Sequence, residues 1–561
     1  MVDKRQKTPK PGDNGEADFP AIAITFPRPL RKPIVLYALC FIAAAILLRD
    51  QINPDAISYL RNAQYLAEGR LADSVSGYWS PLLSWSIAPL LLMGVDSLFA
   101  AKIVLGIWGA MMIVACYCLM KRIRPRREFG IAQSFVLMLL AICSVHWATY
   151  VITPDLPLAV LLIFYCSAVL SPDILRKRSR AMVCGLIGGF AYLSKSYGLP
   201  FFLAHFTIVI VLYWYMHRER YTARQLGRTL CTGVAAFFII AGPWIAVLSW
   251  KHSRPTFSTV ARVAHTVIGP RDKPRMHPLG GLHAVAPGRL HVWETPESLP
   301  YNHWSPLESG SYLAHQIHYT FRTCLRVLRD IGSFDLFYLS LPALLLTPLA
   351  ITRRKTRDVH LALWCLVTVG IYAFGFTLVY YANRYIMAFL WPVIFIYVST
   401  FVIERLRLPK RNAAIITALV LISFGMYALS CCQATWAMCR NDHTHYRRLS
   451  QAIQTDCAEG AFAYAGQRHE GLYVAYHLDK PFVGWLWAAL DESVSEVEVA
   501  LAEQNVGTFF VSSQWKLAKE FQRQTSWRLQ RTVPCGPVSY HLYVAPNQET
   551  GEMAQAAARG S

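Results

Sequence analysis

The sequence predicts a polytopic α-helical membrane protein that ends in a small α/β domain. Its 561 residues are 54% hydrophobic and only 16% charged, a balance too apolar for a soluble protein of this length. Apolar segments recur along the chain, and most are about 17–22 residues long. A helix of that length can cross the hydrocarbon core of a bilayer, which is about 30 Å thick. We predict eleven transmembrane helices, at about 33–49, 98–120, 131–149, 155–171, 181–195, 198–216, 229–250, 334–352, 360–380, 385–403 and 412–430.

A further apolar stretch, 78–94, is broken by Pro81 and Pro89. Proline removes a backbone donor and interrupts a helix. We predict that this stretch lies in the membrane interface or re-enters the membrane.

The net charge of +21 suggests nucleic-acid binding at first sight, but membrane topology explains most of it. If the amino terminus is cytoplasmic, the short cytoplasmic loops all carry basic clusters, as the positive-inside rule requires. The clusters are 4–10 with 28–32, 121–127, 176–180, 218–228, 353–357 and 405–411. We therefore predict a cytoplasmic tail at 1–32, a first helix that is not cleaved, and no nucleic-acid partner.

With this topology, three long segments lie on the outer side of the transmembrane module 33–430. They are the first loop 50–97, the loop 251–333, which is rich in Pro, Gly and His with little periodicity, and the carboxyl-terminal tail. The tail alternates strand-like and helix-like runs, which predicts an α/β domain at 431–547 before a disordered end at 548–561. The strand-like runs are 461–465, 508–512 and 538–545, and the helix-like runs are 445–455, 496–504 and 516–524. Cys457 and Cys535 are candidates for a disulfide.

Two aspartates lie where outer turns meet helices. Asp55 follows Pro54 in the first turn of a surface helix predicted over 54–69, and Asp155 begins the fourth span. Each has an ordinary explanation as an acid at a helix amino terminus. At one membrane face they can also divide catalytic work, one removing a proton from an acceptor hydroxyl and the other orienting that acceptor.

Two cations lie in outer turns, where the positive-inside rule does not place them. Lys195 ends the fifth span and Arg384 opens the tenth. Snorkelling explains such a lysine, but a phosphate leaving group also fits, because nearby positive charge stabilises the developing anion. Weaker candidates for donor or acceptor contacts are Tyr59, Tyr78, Tyr385, His252 and Arg254.

Aromatic and histidine residues in the outer loops have simpler explanations. We expect Tyr78, Trp79 and Trp85 to form an interfacial aromatic belt. His315 and His318 would share a helix face, but the sequence has no dense cluster of metal ligands. We predict no cofactor and leave a divalent metal open.

Four short motifs resemble those of one enzyme class. They are Asp55-Ala56-Ile57-Ser58-Tyr59-Leu60 with Ala67-Glu68-Gly69, Thr153-Pro154-Asp155-Leu156, Leu193-Ser194-Lys195-Ser196-Tyr197-Gly198, and Arg384-Tyr385. Over about 33–430 the chain resembles the GT-C glycosyltransferases, within them the branch of aminoarabinose transferases and protein O-mannosyltransferases. The resemblance implies transfer of a sugar from a polyprenyl phosphate outside the membrane. It also implies that Asp55 is the base, Asp155 a second acid, and Lys195 and Arg384 the phosphate contacts.

We therefore expect an enzyme of the bacterial inner membrane that uses a polyprenyl-phosphate sugar. The acceptor is expected to be a cell-envelope glycan, lipid or protein, and the class implies inversion at the anomeric carbon. Modification of lipid A is not implied, because Trp79-Ser80-Pro81 stands where aminoarabinose transferases have Lys-Pro-Pro.

Two alternatives come from other functional classes. A lipid-linked oligosaccharide flippase or other transporter also needs many spans, but it predicts charges near mid-membrane and internal repeats. The candidate charges here lie at one surface instead. A non-catalytic assembly protein, with the tail as a binding module, is the third possibility.

Overall fold

The computed structural model describes residues 27–124, 129–273, 281–332, 356–402, 410–440, 443–467, 469–486 and 493–546. Helices dominate the chain up to Arg440. They are α1 (Arg28–Leu47), α2 (Pro54–Ala67), α3 (Leu71–Ser74), α4 (Pro81–Leu92), α5 (Ser97–Ile123), α6 (Ile131–Tyr150), α7 (Asp155–Val169), α8 (Arg178–Ser194), α9 (Gly198–Met216), α10 (Ala223–Lys251), α11 (Val260–Thr266), α12 (Gly310–Gly332), α13 (Thr356–Thr377), α14 (Arg384–Tyr397) and α15 (Lys410–Arg440).

Seven helical segments of the described chain are long and apolar enough to cross a membrane. They lie in α1, α5, α6, α9, α10, α13 and α15. The predicted spans 155–171 and 181–195 fold as α7 and α8, of 15 and 17 residues. The predicted span 385–403 folds as α14, which continues as a π-helix over Val398–Val402. The 15 residues of α7 extend about 22 Å at the usual rise per residue. The predicted span 334–352 lies outside the described residues, and the 78–94 stretch contains the separate helix α4.

Helices α8 and α10 pack so closely that their contact requires glycine. A Cβ added at Gly185 would lie 2.1 Å from the carbonyl oxygen of Gly233, so any side chain there would force the backbones apart. Small residues at helix contacts allow this approach in membrane proteins. The contact fixes α8, whose carboxyl end carries Lys195.

Helix α2 forms where the sequence predicts it, but its polar face is buried too. Arg61 and Asn62, which helical periodicity places opposite the apolar face of this predicted surface helix, are only 6% and 2% exposed. Arg61 Nη1 lies 2.6 Å from Asp479 Oδ1 in the tail, and Asn62 Oδ1 accepts a hydrogen bond from Arg289 Nη1 at 2.8 Å. Segments distant in sequence therefore cover the face that periodicity assigns to solvent.

The 251–333 loop is more regular than predicted. It contains α11, the short strand β1 (Gly281–Leu282) and the long amphipathic helix α12. Glu294 anchors the loop to α2, because its fully buried carboxylate accepts hydrogen bonds from Tyr65 Oη and from His291 N, both at 2.8 Å. Burial raises the pKa of Glu294, and this effect outweighs the opposing influence of Arg289 and Tyr65.

The tail is an α/β domain, as predicted. Its helices and strands are α16 (Thr444–Ile453), β2 (Ala461–Ala465), α17 (Glu470–Leu478), β3 (Phe482–Leu486), α18 (Val494–Glu503), β4 (Val506–Ser512), α19 (Ala518–Gln524), β5 (Arg528–Cys535) and β6 (Val538–Val544). The sheet order is β1-β3-β2-β4-β6-β5. Strands β3 and β4 run parallel to β2, whereas β1, β5 and β6 form antiparallel pairs. Cys457 and Cys535 are both free thiols.

Candidate functional site

Asp55 and Arg384 meet at the amino ends of two helices. Pro54 occupies the first position of α2, where a missing N–H costs nothing, and Asp55 follows it. Arg384 opens α14 after the turn 378–383. Arg384 Nη2 donates a hydrogen bond to Asp55 Oδ2 at 2.5 Å.

Asp155 and Lys195 form the second half of the same cluster. Asp155 is the first residue of α7, and Thr153 Oγ1 donates a hydrogen bond to its Oδ2 at 3.0 Å. Lys195 Nζ lies 2.5 Å from Asp155 Oδ1. Arg384 Nε lies 3.7 Å from Asp155 Oδ2, so Arg384 bridges the two aspartates.

The four predicted residues thus form one chain of alternating charges, in the order Asp55, Arg384, Asp155 and Lys195. Their side chains are 19%, 27%, 11% and 20% exposed, respectively. Partial burial strengthens the ion pairs but leaves the groups accessible to a ligand. Such a cluster can bind an anion through its cations and accept a proton through a carboxylate.

A hydrogen bond holds the two aspartate-bearing segments together. Asn53 Oδ1, two residues before Asp55, accepts a hydrogen bond from Ile152 N at 2.8 Å. On the other side, Ile52 N donates to His443 Nδ1 at 3.3 Å. The sequence analysis singled out neither Asn53 nor His443. Asn53 could have been noticed as a helix-capping residue type before Pro54, whereas nothing in the sequence marks His443.

Three tyrosines predicted as weaker contacts surround the cluster. Lys195 Nζ lies 3.9 Å from the ring centroid of Tyr385, a cation–π distance. Burial, followed by the negative charges of Asp55 and Asp155, raises the pKa of Tyr59 well above its usual value. The pKa of Tyr78 is also raised well above its usual value, mainly by burial and then by Tyr385 and Asp55. Both phenols are therefore neutral hydrogen-bonding groups beside the cluster.

The predicted aromatic belt is wrong for Tyr78 and Trp79. The ring of Trp79 packs edge-on against Tyr78 and Tyr59, with centroids 4.6 and 5.1 Å apart. Trp293 from the long loop closes over this group, 5.6 Å from Trp79. Trp85 instead packs on Trp244. The long loop therefore covers the rings of Tyr78 and Trp79.

His252 and Arg254 are not part of the cluster. His252 lies against Gly77, and Arg254 is exposed. Within the described ranges, neither side chain forms a hydrogen bond or ion pair with the four charged residues. Their predicted contact with donor or acceptor has no geometric support.

In the part of the chain that the structure describes, no group of three or more His, Cys, Asp or Glu side chains comes together. His315 Nε2 lies 2.8 Å from the carbonyl oxygen of Ile268, and His318 is exposed. The two histidines share α12, but His315 is used in packing.

The fold is similar to that of known membrane protein structures. No protein-family model and no curated protein sequence matches the chain. Among solved structures, ArnT from Cupriavidus metallidurans bound to undecaprenyl phosphate aligns with a TM-score of 0.54 at 13% identity, over 91% of this chain and 98% of that one. The apo form of that protein gives 0.51 at 14% identity, over 91% and 97%. The Archaeoglobus fulgidus oligosaccharyltransferase in complex with Zn and sulfate gives 0.46 at 10% identity, over 85% and 68%.

The resemblance in fold therefore extends beyond the membrane helices. The alignment with ArnT covers nearly the whole of both chains and includes the α/β tail. At such low sequence identity, this likeness establishes architecture and not activity. The chain shares the fold of the ArnT structures, with a helical membrane module followed by an α/β domain.

Proposed function

We propose that the protein is a membrane glycosyltransferase that moves a sugar from a polyprenyl-phosphate donor to an extracytoplasmic acceptor. One observation carries the proposal: four charged side chains from four distant parts of the chain join in a single cluster. The GT-C fold, shared with an ArnT structure bound to undecaprenyl phosphate, supports a lipid phosphate as the donor group.

The two cations are the proposed phosphate contacts. Arg384 and Lys195 are neutralised by Asp55 and Asp155, so the four groups together carry no net charge. A donor phosphate competes with the carboxylates for these cations, and the forked guanidinium is suited to grip it. When Arg384 turns to the phosphate, Asp55 loses its ion-pair partner and its carboxylate is free to accept a proton.

In the proposed reaction, Asp55 takes the proton of an acceptor hydroxyl while the oxygen of that hydroxyl attacks the anomeric carbon of the donor sugar. The bond between that carbon and the phosphate oxygen breaks, and the electron pair leaves with polyprenyl phosphate. Arg384 and Lys195 stabilise the charge that develops on this leaving group. Asp155 holds both cations in place, and attack opposite the leaving group inverts the anomeric centre.

The setting we propose is the bacterial inner membrane, with the amino terminus in the cytoplasm and the site and tail outside. A glycan, lipid or protein of the cell envelope is the proposed acceptor. This orientation follows from the basic loops, which are expected on the cytoplasmic side. Attachment of a label to periplasmic or cytoplasmic loops in intact and permeabilised cells tests it.

The decisive experiment measures release of polyprenyl phosphate from a radiolabelled polyprenyl-phosphate sugar by purified protein in lipid nanodiscs, with cell-envelope extract as acceptor. We expect Asp55→Asn to lower turnover by about 10²–10⁴-fold, the usual contribution of a general base. Asp73→Asn, which alters an exposed ion pair with Arg70, is the matched control and keeps wild-type turnover. Wild-type turnover in Asp55→Asn refutes the base assignment. Movement of labelled donor across a bilayer without cleavage supports the flippase instead.

A further inference from the structure

Helix α12 presents three distinct faces. One face is packed against the protein and includes Thr323, Val327 and Ile331, each at most 4% exposed. A second face is an exposed row of large apolar side chains, here called the apolar stripe. It consists of Leu313 (46%), Ile317 (62%), Phe321 (61%), Leu325 (51%) and Leu328 (55%). Along one border of the stripe lies an exposed basic edge, formed by His318, Arg322, Arg326 and Arg329.

The helix is long enough to cross a membrane but has the wrong charges for it. Its 23 residues extend about 34 Å. Its second half carries Arg322, Arg326, Arg329 and Asp330, and charged side chains at the centre of a bilayer are costly. It is accordingly not among the helices whose composition suits a span. A helix of this kind lies along the membrane surface.

The charge pattern identifies what covers the stripe. An apolar row bordered by arginines matches the boundary between acyl chains and anionic headgroups, where arginine keeps its stem in the apolar layer and its guanidinium in the polar one. A water-facing surface would leave five large apolar side chains exposed together, which soluble surfaces avoid.

The packed side of α12 connects it to the candidate site. Gln316 Nε2 donates to the carbonyl oxygen of Leu378 at 3.3 Å, and Tyr319 Oη donates to that of Val379 at 3.3 Å. Tyr381 Oη donates to Asp330 Oδ2 at 3.0 Å. These three hydrogen bonds hold the turn 378–383, and the next residue along the chain is Arg384.

We propose that α12 lies in the membrane interface, with its apolar stripe in the acyl layer and its basic edge bound to anionic phospholipid headgroups. In this position the helix sets the height of the turn 378–383, and hence of Arg384, relative to the lipid surface. The lipid contact holds whether or not the protein transfers a sugar, since it depends only on the faces of α12.

Photo-crosslinking from the stripe tests the occupant directly. Phe321 is replaced by benzoylphenylalanine in the full-length protein, which is then placed in nanodiscs of three parts phosphatidylcholine to one part phosphatidylglycerol. We expect crosslinks to lipid from position 321. The same probe at buried Val327 should give crosslinks only within the protein. Crosslinks from 321 to a second protein chain overturn the proposal, because a partner would then cover the stripe.

The lipids captured at position 321 report on the basic edge. Each arginine near a membrane surface favours anionic lipid by about fivefold, so phosphatidylglycerol should be several-fold enriched over its bulk fraction. Arg322→Gln/Arg326→Gln/Arg329→Gln should return the captured ratio to bulk, and Arg322→Gln alone should lower the enrichment partly. The control triple variant Lys519→Gln/Arg523→Gln/Arg528→Gln changes exposed residues of the tail and should leave the enrichment unchanged. Capture at the bulk ratio by wild-type protein refutes recognition of anionic lipid.

Discussion

Arg384 contacts both aspartates through different nitrogens, so its replacement separates the effect of shape from that of charge. Nη2 binds Asp55 at 2.5 Å and Nε lies 3.7 Å from Asp155. Lysine at this position retains the charge but has one compact ammonium group in place of a planar fork. Lys195 already occupies the other oxygen of Asp155. Arg384→Lys should therefore retain one of the two contacts, whereas Arg384→Gln removes the positive charge altogether.

The two substitutions should lower kcat/KM by different amounts. Loss of one charge-assisted hydrogen bond costs about 1.5–3 kcal/mol, which corresponds to a fall in kcat/KM of roughly 10- to 150-fold. Arg384→Gln removes a cation that stabilises the leaving phosphate, and loss of one such transition-state contact costs about 2.7–4 kcal/mol. Arg384→Gln should therefore lower kcat/KM by roughly 100- to 1,000-fold.

Release of polyprenyl phosphate in nanodiscs, measured over a range of donor concentrations, gives kcat and KM for each variant. Arg523→Gln, an exposed substitution in the tail, is the control for loss of an arginine. Thermal unfolding of each variant, followed by intrinsic fluorescence, shows whether the protein still folds. If folded Arg384→Gln stays within threefold of wild type, the phosphate role assigned to Arg384 is wrong.

Three further predictions concern the surroundings of the cluster. Asn53→Ala leaves Ile152 N without its acceptor. It should lower kcat by about 10- to 100-fold with little change in KM, since small displacements of reacting groups are costly. Equal kcat in Asn53→Ala and the exposed control Asn302→Ala would contradict this. Asp50→Ala removes the buried acceptor of the hydrogen bond from Arg447 and should destabilise tail docking by about 1.5–3 kcal/mol, seen as faster proteolysis between membrane module and tail. Burial holds the pKa of His291 well below its usual value, so the unfolded chain binds the proton more readily and stability should fall as pH drops below about 6.5. His291→Phe should remove that part of the pH dependence of the unfolding temperature; an unchanged profile would show that other groups cause it.

Hydropathy predicts the membrane helices well because lipid imposes a simple rule on composition. Ten of the eleven predicted spans coincide with described helices, although α7, with 15 residues, is shorter than a typical span. Hydrophobic periodicity failed to predict burial and strands where contacts between distant segments decide them. It places Arg61 opposite the apolar face of α2, yet Arg61 is buried and pairs with Asp479 in the tail. It also missed β3, whose five residues are almost all apolar and therefore do not alternate, and β5, whose eight residues include few apolar ones.

The candidate site divides in the same way. Asp55, Asp155, Lys195 and Arg384 were predictable because charged residues in outer turns stand out against apolar spans. Their mutual contacts were not, since no local rule relates positions so far apart in the chain. Asn53 escaped notice because a hydrogen-bonding asparagine before a proline is common.

Strand β1 ties the long loop to the tail more strongly than its two residues suggest. It pairs with β3 at an edge of the sheet, and nearby His283 N donates to the carbonyl oxygen of Val483 at 2.8 Å. Phe482 N also donates to the carbonyl oxygen of Leu290 at 2.7 Å. A fragment beginning at residue 443 would expose this strand edge, a template for self-association. Soluble production of the tail should therefore succeed only when a peptide covering 281–298 is supplied, as in donor-strand complementation.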